Sequence, residues 1–257
     1  MRALAVLALV LSACAASADS PPERTCDTID FDGAPFVVCA VPRDADIRLF
    51  HRNAAGDVLG DFDALEAQLA PGETLLMAMN AGMYHADRRA VGLHVENGEE
   101  SAPIVTSAGP GNFGLLPNGV FWSDGERVHV TETRAFAAGG HIPGFATQSG
   151  PMLVIDGDLH PRFLPDSDSH KRRNGVGVYD DTAWFAISDA PVTFHHFARL
   201  FRDALGADNA LFLDGSISRI RAPELDRDER GSPLGPMVAI IRADTRAPSG
   251  PEHSERD

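Results

Sequence analysis

Thr147-Gln148-Ser149-Gly150-Pro151-Met152-Leu153-Val154 and Asn174-Gly175-Val176-Gly177-Val178 are the two segments that say most about the fold. Each joins amide, hydroxyl or glycine residues to a short apolar run, and short apolar runs bounded by turn residues indicate buried strands. The cationic cluster Lys171-Arg172-Arg173 directly precedes the second segment. The arrangement predicts polar and cationic groups at the ends of buried strands, where a small anionic ligand is held.

Short strands of the same kind are predicted along most of the chain, separated by turn sequences such as Glu96-Asn97-Gly98. The predicted strands cover residues 36–41, 47–51, 75–79, 92–96, 120–122, 128–131, 152–155, 175–179, 183–187, 210–213 and 237–241. Many short strands with two or three helices favour one α+β domain with mixed or antiparallel sheets.

Two segments have the features of helices. Asp61 is expected to cap the first, and Thr193 is expected to cap the second, which stops at Gly206. The phenylalanines of the second helix recur at helical spacing and are expected in the core. His195 and His196 lie off that stripe and are expected on the solvent side.

Length and charge restrict the class of protein. The chain has 257 residues, 44% of them hydrophobic, and a formal net charge of -15, so it can bury a sizeable core. The acidic balance argues against non-specific nucleic-acid binding, which needs a basic surface. An anion site in this chain must therefore be a local cationic cluster.

The N-terminus has the features of an export signal over residues 1–18, with Met1-Arg2 preceding the apolar run 3–10. Ala16-Ser17-Ala18 fits ordinary cleavage before Asp19, whereas Leu11-Ser12-Ala13-Cys14 resembles a bacterial lipobox with Cys14 as the lipidated residue. We favour the lipobox. The expectation is a periplasmic or outer-membrane-anchored lipoprotein, attached to the membrane through its N-terminal lipid only. A domain over 19–241 and a disordered tail over 242–257 are expected to follow.

The two remaining cysteines, Cys26 and Cys39, flank a predicted hairpin whose turn lies near Asp32-Gly33. In the oxidising compartment that export implies, a disulfide is favoured over free thiols. Zinc binding is not expected, because partners with the usual spacing are missing. The pair is therefore predicted to be structural.

Two motifs in the chain lack the context that their chemistry requires. Gly109-Pro110-Gly111-Asn112-Phe113-Gly114 fits the dinucleotide pattern, but it leads into a turn and a strand instead of a helix. Ser149 has no leading glycine and precedes a strand, so it does not form a hydrolase nucleophile elbow. No cofactor is expected.

Polar residues at three strand ends are the candidates for a site. Two of these segments, Asn80-Ala81-Gly82 and Asp214-Gly215-Ser216, each follow an apolar run, and Arg173-Asn174 begins a third run. Each of the first two can be a simple turn or can contribute polar groups to a cleft. Arginine at the start of the third run can bind phosphate or carboxylate bidentately. Alternate strand residues face opposite ways, so Arg172 and Asn174 share one face and Lys171 and Arg173 the other. The spacing leaves open which pair faces the cleft.

The histidines do not form a metal-binding motif, since they are scattered without a helical H-x-x-x-H pair. His85 and His170 stand beside the strand-end motifs and are retained as candidates for substrate binding. No metal is assigned.

Taken in order, five segments resemble the phosphodiester glycosidase family over about residues 39–241. They are Asn80-Ala81-Gly82-Met83-Tyr84, Leu116-Pro117-Asn118-Gly119-Val120-Phe121, Gln148-Ser149-Gly150-Pro151-Met152-Leu153, Arg173-Asn174-Gly175-Val176-Gly177-Val178 and Leu213-Asp214-Gly215-Ser216-Ile217-Ser218. Within the family, this chain most resembles a bacterial branch of exported proteins. The family also includes the lysosomal uncovering enzyme, which removes N-acetylglucosamine from mannose 6-phosphate. The branch with that enzyme has Asn-Gly-Gly-Phe and Asp-Gly-Gly-Gly-Ser where this chain has residues 80–83 and 214–218. It also has Arg-Thr-x-x-Gly where this chain has Arg173-Asn174-Gly175-Val176-Gly177.

The resemblance implies hydrolysis of a sugar-1-phosphodiester at the anomeric C–O bond. Asp214 is expected to be the base or a stabiliser of the oxocarbenium-like state, Arg173 to hold the phosphate and Asn80 to orient the sugar, with Asp189 as a spare carboxylate. The remaining candidate substrate-binding residues are Arg172, Asn174, Gln148, Ser149, Gly150, Gly82, Asn118, Gly215, Ser216, Ser218, His170 and His85.

Two alternatives stay open. One is a non-catalytic envelope glycan-binding lipoprotein on the same fold. The other is metal-assisted phosphodiester cleavage by Asp214 with His85 or His170. The expected partner in each case is a small-molecule or glycan sugar phosphate.

Overall fold

A β-hairpin begins the part of the chain that the structure describes. The structure is a computed structural model, and it describes residues 25–42, 45–215 and 217–243. The predicted export signal with Cys14, the candidate binding residue Ser216 and the residues after Ala243 lie outside these ranges.

The strands of the described residues run in this order: β1 Cys26–Phe31, β2 Ala34–Ala40, β3 Ala45–Phe50, β4 Glu73–Asn80, β5 His94–Glu96, β6 Glu99–Ala102, β7 Gly119–Ser123, β8 Val128–Glu132, β9 Phe145–Ser149, β10 Met152–Ile155, β11 Asp158–Leu159, β12 Asn174–Tyr179, β13 Thr182–Ser188, β14 Asn209–Asp214, β15 Ile220–Ala222, β16 Arg227–Asp228 and β17 Met237–Ala243. The α-helices are α1 Phe62–Glu66, α2 Thr133–Gly139 and α3 Phe194–Arg199, with a π-helical turn Leu200–Ala204 and a 3₁₀ turn Pro223–Leu225. Among these elements, no helix is long and apolar enough to cross a membrane.

The strands form three antiparallel sheets. The first has the order β1-β2-β13-β12-β14-β10-β11, the second β16-β15-β4-β17-β3, and the third β6-β5-β9-β7-β8. The predicted α+β class is confirmed, and the sheets are antiparallel in every named pairing.

The three sheets share one central core, because each turns alternate residues inward. On β14, Leu211 and Leu213 face this core, whereas Phe212 faces a second cluster. That second cluster lies under α3, which contributes Phe197. In the same way α1 covers the outer face of the second sheet and α2 that of the third. The central strands of the sheets, such as β4 and β14, are thus buried on both faces, which is why they read as short, nearly continuous apolar runs.

The β1–β2 hairpin confirms the prediction for the cysteines. Asp32 and Gly33 occupy the turn with φ of 51° and 78°, a left-handed pair that closes a tight hairpin. Cys26 is directly opposite Cys39 in the register, and the two form a disulfide.

The structure confirms the two predicted helix caps and adds one helix that was not predicted. The Asp61 carboxylate accepts from the Ala64 N–H at 2.8 Å, and the Thr193 hydroxyl accepts from the His196 N–H at 3.1 Å. Sequence reasoning missed α2, which directly follows β8 and is capped by the Glu132 carboxylate. The last strand runs two residues beyond its predicted end, to Ala243.

The prediction that His196 faces solvent was wrong. Its Nε2 lies 2.9 Å from the Phe31 carbonyl oxygen, and its ring packs against Phe31 and Phe36. The reason is that the β1–β2 hairpin extends under α3, a contact between segments distant in sequence. His195 is also partly buried.

Replacing Cys26 and Cys39 by serine should lower the free energy of unfolding by ~2–3 kcal/mol. The sequence separation of 13 residues sets the chain entropy that the crosslink removes from the unfolded state. Urea denaturation of the double variant measures the loss. Reducing agent should lower the stability of the wild type by a similar amount and leave the variant unchanged; equal stability of all four samples would contradict the prediction.

Candidate active site

The predicted strand ends meet at one end of the neighbouring strands β12 and β14 of the first sheet. Asn174, the first residue of β12, is paired with Asp214, the last residue of β14, across a bulge. The Ser149 hydroxyl at the end of β9 donates to the Leu213 carbonyl at 2.8 Å. Asn80 at the end of β4 joins them through its backbone carbonyl, which accepts a hydrogen bond from the Asn174 Nδ2 at 2.7 Å. All three sheets therefore contribute a strand end to this place.

The side chain of Asn174 organises the site. It is fully buried, and its Nδ2 reaches Asn80 in the second sheet while its Oδ1 accepts from the Asp214 N–H at 2.8 Å. The Ser218 hydroxyl lies 3.2 Å from the same Oδ1 and 2.5 Å from the Gly215 carbonyl oxygen. Asn174 and Ser218 thus fix the backbone on both sides of the Asp214 carboxyl. Their polar atoms are used for positioning.

The Asp214 carboxyl is the site's titratable group. Burial raises its pKa to about 6, and this effect outweighs the Gly215 N–H and the Asn80 amide, which lower the pKa. Its Oδ1 accepts from the Gly215 N–H at 2.6 Å. The Tyr84 phenol lies close enough to interact with Asp214. Burial is the main cause that raises the pKa of this phenol, and the charge of Asp214 raises it further. A carboxyl with a pKa near neutrality can accept and return a proton under physiological conditions.

Asn80 presents a buried hydrogen-bond donor beside that carboxyl. Its Oδ1 accepts from the Arg219 N–H at 2.9 Å, which fixes the amide orientation. Its Nδ2 is fully buried and has no hydrogen-bond partner of regular geometry, although the amide is near enough to lower the pKa of Asp214. Buried donors are rarely left unpaired in a folded protein. This one lies beside the Asp214 carboxyl, whose pKa it lowers.

The two adjacent arginines differ in how their charges are balanced. The Arg172 guanidinium makes two 2.8 Å hydrogen bonds to Glu229 and a longer one to Asp189. Arg173 is 1% exposed and makes no salt bridge with a carboxylate of the described residues. Its Nε and Nη2 donate to the Val192 and Ser169 carbonyls, each at 2.9 Å. Burial lowers the pKa of Arg173 to about 10, so the group stays a cation at neutral pH.

Aromatic rings hold the Arg173 guanidinium near the site. It stacks 3.6 Å from the centroid of the Phe194 ring and lies 5.6 Å from that of Phe212. The tip of the Phe212 ring is also close to Gly215, since a Cβ at Gly215 would lie 3.7 Å from it. The Phe212 ring therefore lies near both the Arg173 guanidinium and Gly215.

Gln148 was predicted to orient the substrate, but the protein itself uses its whole amide. Its Oε1 accepts from the Leu93 and Val105 N–H groups, and its Nε2 donates to the Val105 carbonyl and the Thr133 hydroxyl. An amide offers four hydrogen-bonding positions of this kind, and all four are occupied. The structure gives Gln148 a bracing role between β5, α2 and the loop after β6.

Gly82, Gly150 and Asn118 support the site by close packing. A Cβ at Gly82 would lie 2.6 Å from the Thr147 Oγ1, and one at Gly150 would lie 2.5 Å from the Asn118 Cβ. These contacts require glycine at both positions. The Asn118 Nδ2 donates to the Phe113 carbonyl at 2.8 Å, while its buried Oδ1 has no partner.

His85 and His170 are both exposed, and no hydrogen bond of either ring reaches Asp214. The described residues contain one group of three His, Cys, Asp or Glu side chains with converging donor atoms, and Asp214, His85 and His170 are not in it. The spare carboxylate Asp189 is engaged by Arg227 at 2.8 and 3.0 Å. An arginine thus balances the charge of Asp189, whereas Asp214 makes no salt bridge among the described residues.

Sequence reasoning did not assign Tyr84 and Arg219 to the site. Arg219 directly follows Ser218, its N–H holds Asn80, and its guanidinium donates to the Ser232 carbonyl without a salt bridge to a described carboxylate. Burial lowers the pKa of Arg219, and the guanidinium is close enough to Tyr84 to lower the pKa of the phenol. Tyr84 ends the first of the five family-like segments and Arg219 directly follows the last, so their proximity to these segments was the available signal.

Comparison with known proteins identifies relatives of this chain. The sequence profile of the phosphodiester glycosidase family matches residues 73–222. The uncharacterized protein YigE of Escherichia coli (strain K12) is 35% identical over 180 residues, which is 70% of each chain.

Solved structures with a similar fold are much more distant in sequence. The catalytic domain of zebrafish N-acetylglucosamine-1-phosphodiester alpha-N-acetylglucosaminidase has a TM-score of 0.57 at 13% identity, covering 84% of this chain and 81% of that one. A hypothetical protein from Synechocystis has a TM-score of 0.51 at 13% identity, covering 84% and 61%. At this identity the likeness concerns the fold alone.

The raised pKa of Asp214 predicts a pH-dependent gain in stability for Asp214→Asn. Between the ordinary pKa near 3.8 and the folded value of about 6, the folded protein binds more protons than the unfolded chain. The wild type therefore loses stability as pH rises through this window, by about 2 kcal/mol from pH 4 to pH 8. The asparagine variant lacks this loss, so its stability relative to wild type should increase by that amount over the window. Urea denaturation at both pH values measures it; a constant difference would contradict the burial argument.

Proposed function

The chain belongs to the phosphodiester glycosidase family, and from this premise we propose that it hydrolyses a sugar-1-phosphodiester at the anomeric C–O bond. The observation that carries the proposal is the buried Asp214 carboxyl, with a pKa of about 6, next to the unpaired amide donor of Asn80. Substrate candidates are an envelope glycan or a related sugar phosphate.

In the proposed reaction Asp214 is the base. Water attacks the anomeric carbon and gives a proton to the Asp214 carboxylate, while the bond between that carbon and the phosphate oxygen breaks. The products are a reducing sugar and a phosphomonoester, and the proton then leaves Asp214 for solvent. Because the departing phosphate is a weakly basic anion, it needs little protonation. One carboxylate with cationic stabilisation then replaces the usual pair of carboxyl groups.

Asn80 and Arg173 have complementary proposed roles. The Asn80 Nδ2 donates to a sugar hydroxyl or to the ring substituent next to the reacting carbon, and its orientation is fixed by the Arg219 N–H. Arg173 supplies the positive charge for the phosphate, and the absence of a carboxylate partner among the described residues leaves that charge available. Arg172 is a weaker candidate because Glu229 already neutralises it.

Export belongs to the same proposal. We place the protein outside the cytoplasm, released or anchored through Cys14, because residues 1–18 have the features of an export signal. The disulfide between Cys26 and Cys39 supports this location, since disulfides persist in oxidising compartments.

Asp214→Asn should lower turnover at least ~100-fold, the usual worth of general acid–base catalysis. The assay incubates the mature domain with UDP-GlcNAc and a panel of anomeric sugar phosphodiesters and measures free reducing sugar. Asp189→Asn is the matched control, because that carboxylate is held by Arg227, and it should keep turnover. Near-normal turnover in Asp214→Asn would remove Asp214 from the mechanism.

The wild-type pH profile tests the role of Asp214 as base. The carboxylate is the active form, so kcat/KM should rise as pH increases through about 6. A profile that falls through this range would instead make Asp214 a general acid. Saturable binding with intact substrate at every pH would favour the non-catalytic glycan-binding alternative.

Arg173→Lys should raise KM for the phosphodiester ~10–100-fold, the range expected for losing a charge-assisted hydrogen bond. Inhibition by inorganic phosphate should weaken in parallel, which a purely structural role of Arg173 does not predict. Arg172→Lys is the control and should change KM little. The phosphate role of Arg173 is refuted if phosphate inhibits both variants as strongly as the wild type.

A further inference from the structure

A second cluster of chemically active side chains, which does not include Asp214, lies where β3 of the second sheet meets β5 of the third. His51 directly follows β3, and His94 and Glu96 are the first and last residues of β5. Residues two apart on a strand point to the same face, so His94 and Glu96 project together. The rings of His51 and His94 meet edge to face, with their centroids 5.4 Å apart.

The hydrogen bonding of this cluster is incomplete. The His94 Nε2 lies 2.7 Å from the Glu96 Oε1, but its Nδ1 has no partner although the residue is 0% exposed. The His51 Nε2 lies 2.7 Å from the Arg88 carbonyl oxygen, which can only accept, so the ring's lone pair is on Nδ1. A buried nitrogen without a partner costs about 1–3 kcal/mol. A simple hydrogen-bonded pair of His94 and Glu96 leaves that cost unexplained.

The donor set fits a transition-metal ion. His51, His94 and Glu96 can each offer one donor atom, and the three atoms lie within 4.8 Å of one another. Two imidazoles with one carboxylate form a known ligand set for Zn²⁺, whereas Mg²⁺ and Ca²⁺ prefer oxygen ligands alone. Tetrahedral Zn²⁺ would draw its donors to about 3.3 Å from one another. Glu96 has the freedom for this movement, because its side chain is 26% exposed.

We propose that His51, His94 and Glu96 form a Zn²⁺ site that is separate from the Asp214 site. Its position gives it a structural role. His51 holds the Arg88 carbonyl, and Arg88 lies in the hairpin in which Tyr84 is bridged to Ala90. The Arg88 guanidinium also stacks 5.1 Å from the Tyr84 ring. An ion bound to His51 therefore fixes the hairpin that carries Tyr84 to Asp214.

Zinc binding is measured directly on the full purified chain, stripped with chelator and dialysed. Competition with a chromogenic zinc chelator should show one tight equivalent in the wild type. Glu96→Gln keeps an oxygen for the His94 Nε2, and His51→Gln changes a residue with one side-chain hydrogen bond, so both variants should fold. Each should weaken zinc affinity at least ~10-fold, the lower end of the cost of losing even an outer-shell partner. His141→Gln, at an exposed histidine, should bind as the wild type does.

Thermal unfolding provides the second readout. Zinc should raise the midpoint of the wild type and of His141→Gln and should raise those of Glu96→Gln and His51→Gln much less, since a ligand that binds only the folded state stabilises it. Circular dichroism of the zinc-free variants confirms that they fold. The site is overturned if the wild type retains no stoichiometric zinc, or if all four proteins bind it equally. Neither result depends on the glycosidase assay, so this proposal and the proposed function succeed or fail separately.

Discussion

The hydrogen bonds of the Asn174 side chain connect two sheets and set the position of the carboxyl on which the proposed chemistry depends. The amide nitrogen reaches the Asn80 carbonyl in the second sheet, and the amide oxygen accepts from the Asp214 N–H in the first. An aliphatic residue at this position would leave both of these buried backbone groups unsatisfied, at a cost of about 1–3 kcal/mol each. An aspartate would remove the donor and place a second negative charge beside Asp214. Asparagine satisfies both sides without adding charge.

The neutrality of Asn174 matters because the environment of Asp214 depends on it. Burial raises the pKa of Asp214 to about 6 since the groups nearest to it, Gly215 and Asn80, supply dipoles and no positive charge. The charges of Arg172 and Arg227 are balanced by Glu229 and Asp189. The site thus keeps the Asp214 carboxyl, whose pKa lies near neutrality. It also keeps two buried arginines, Arg173 and Arg219, that make no salt bridge to a carboxylate of the described residues.

The fold was predictable where the signal is local. The Asp32-Gly33 turn and the Asp61 cap depend on residues within four positions of one another, and each appears as expected. Helix α2 was not predictable from periodicity, because Thr133–Gly139 is short and ends in glycine, and its stability comes from packing on the third sheet. The environment of His196 was mispredicted for the same reason, since it is set by Phe31, 165 positions away.

The sequence indicates which polar residues stand near strand ends but not which of their atoms lack partners within the protein, and Gln148 and Asn80 show why. Both are buried amides at strand ends, and composition or spacing gives no means of separating them. In the folded chain Gln148 has all four of its hydrogen-bonding positions filled by partners up to 55 positions away, whereas the Asn80 Nδ2 has none. The same applies to Arg172 and Arg173, which are neighbours in sequence, because a carboxylate 57 positions away engages only the first. A polar residue is free to act on a ligand only to the extent that the rest of the fold leaves its atoms unpaired, and that property is a result of tertiary structure.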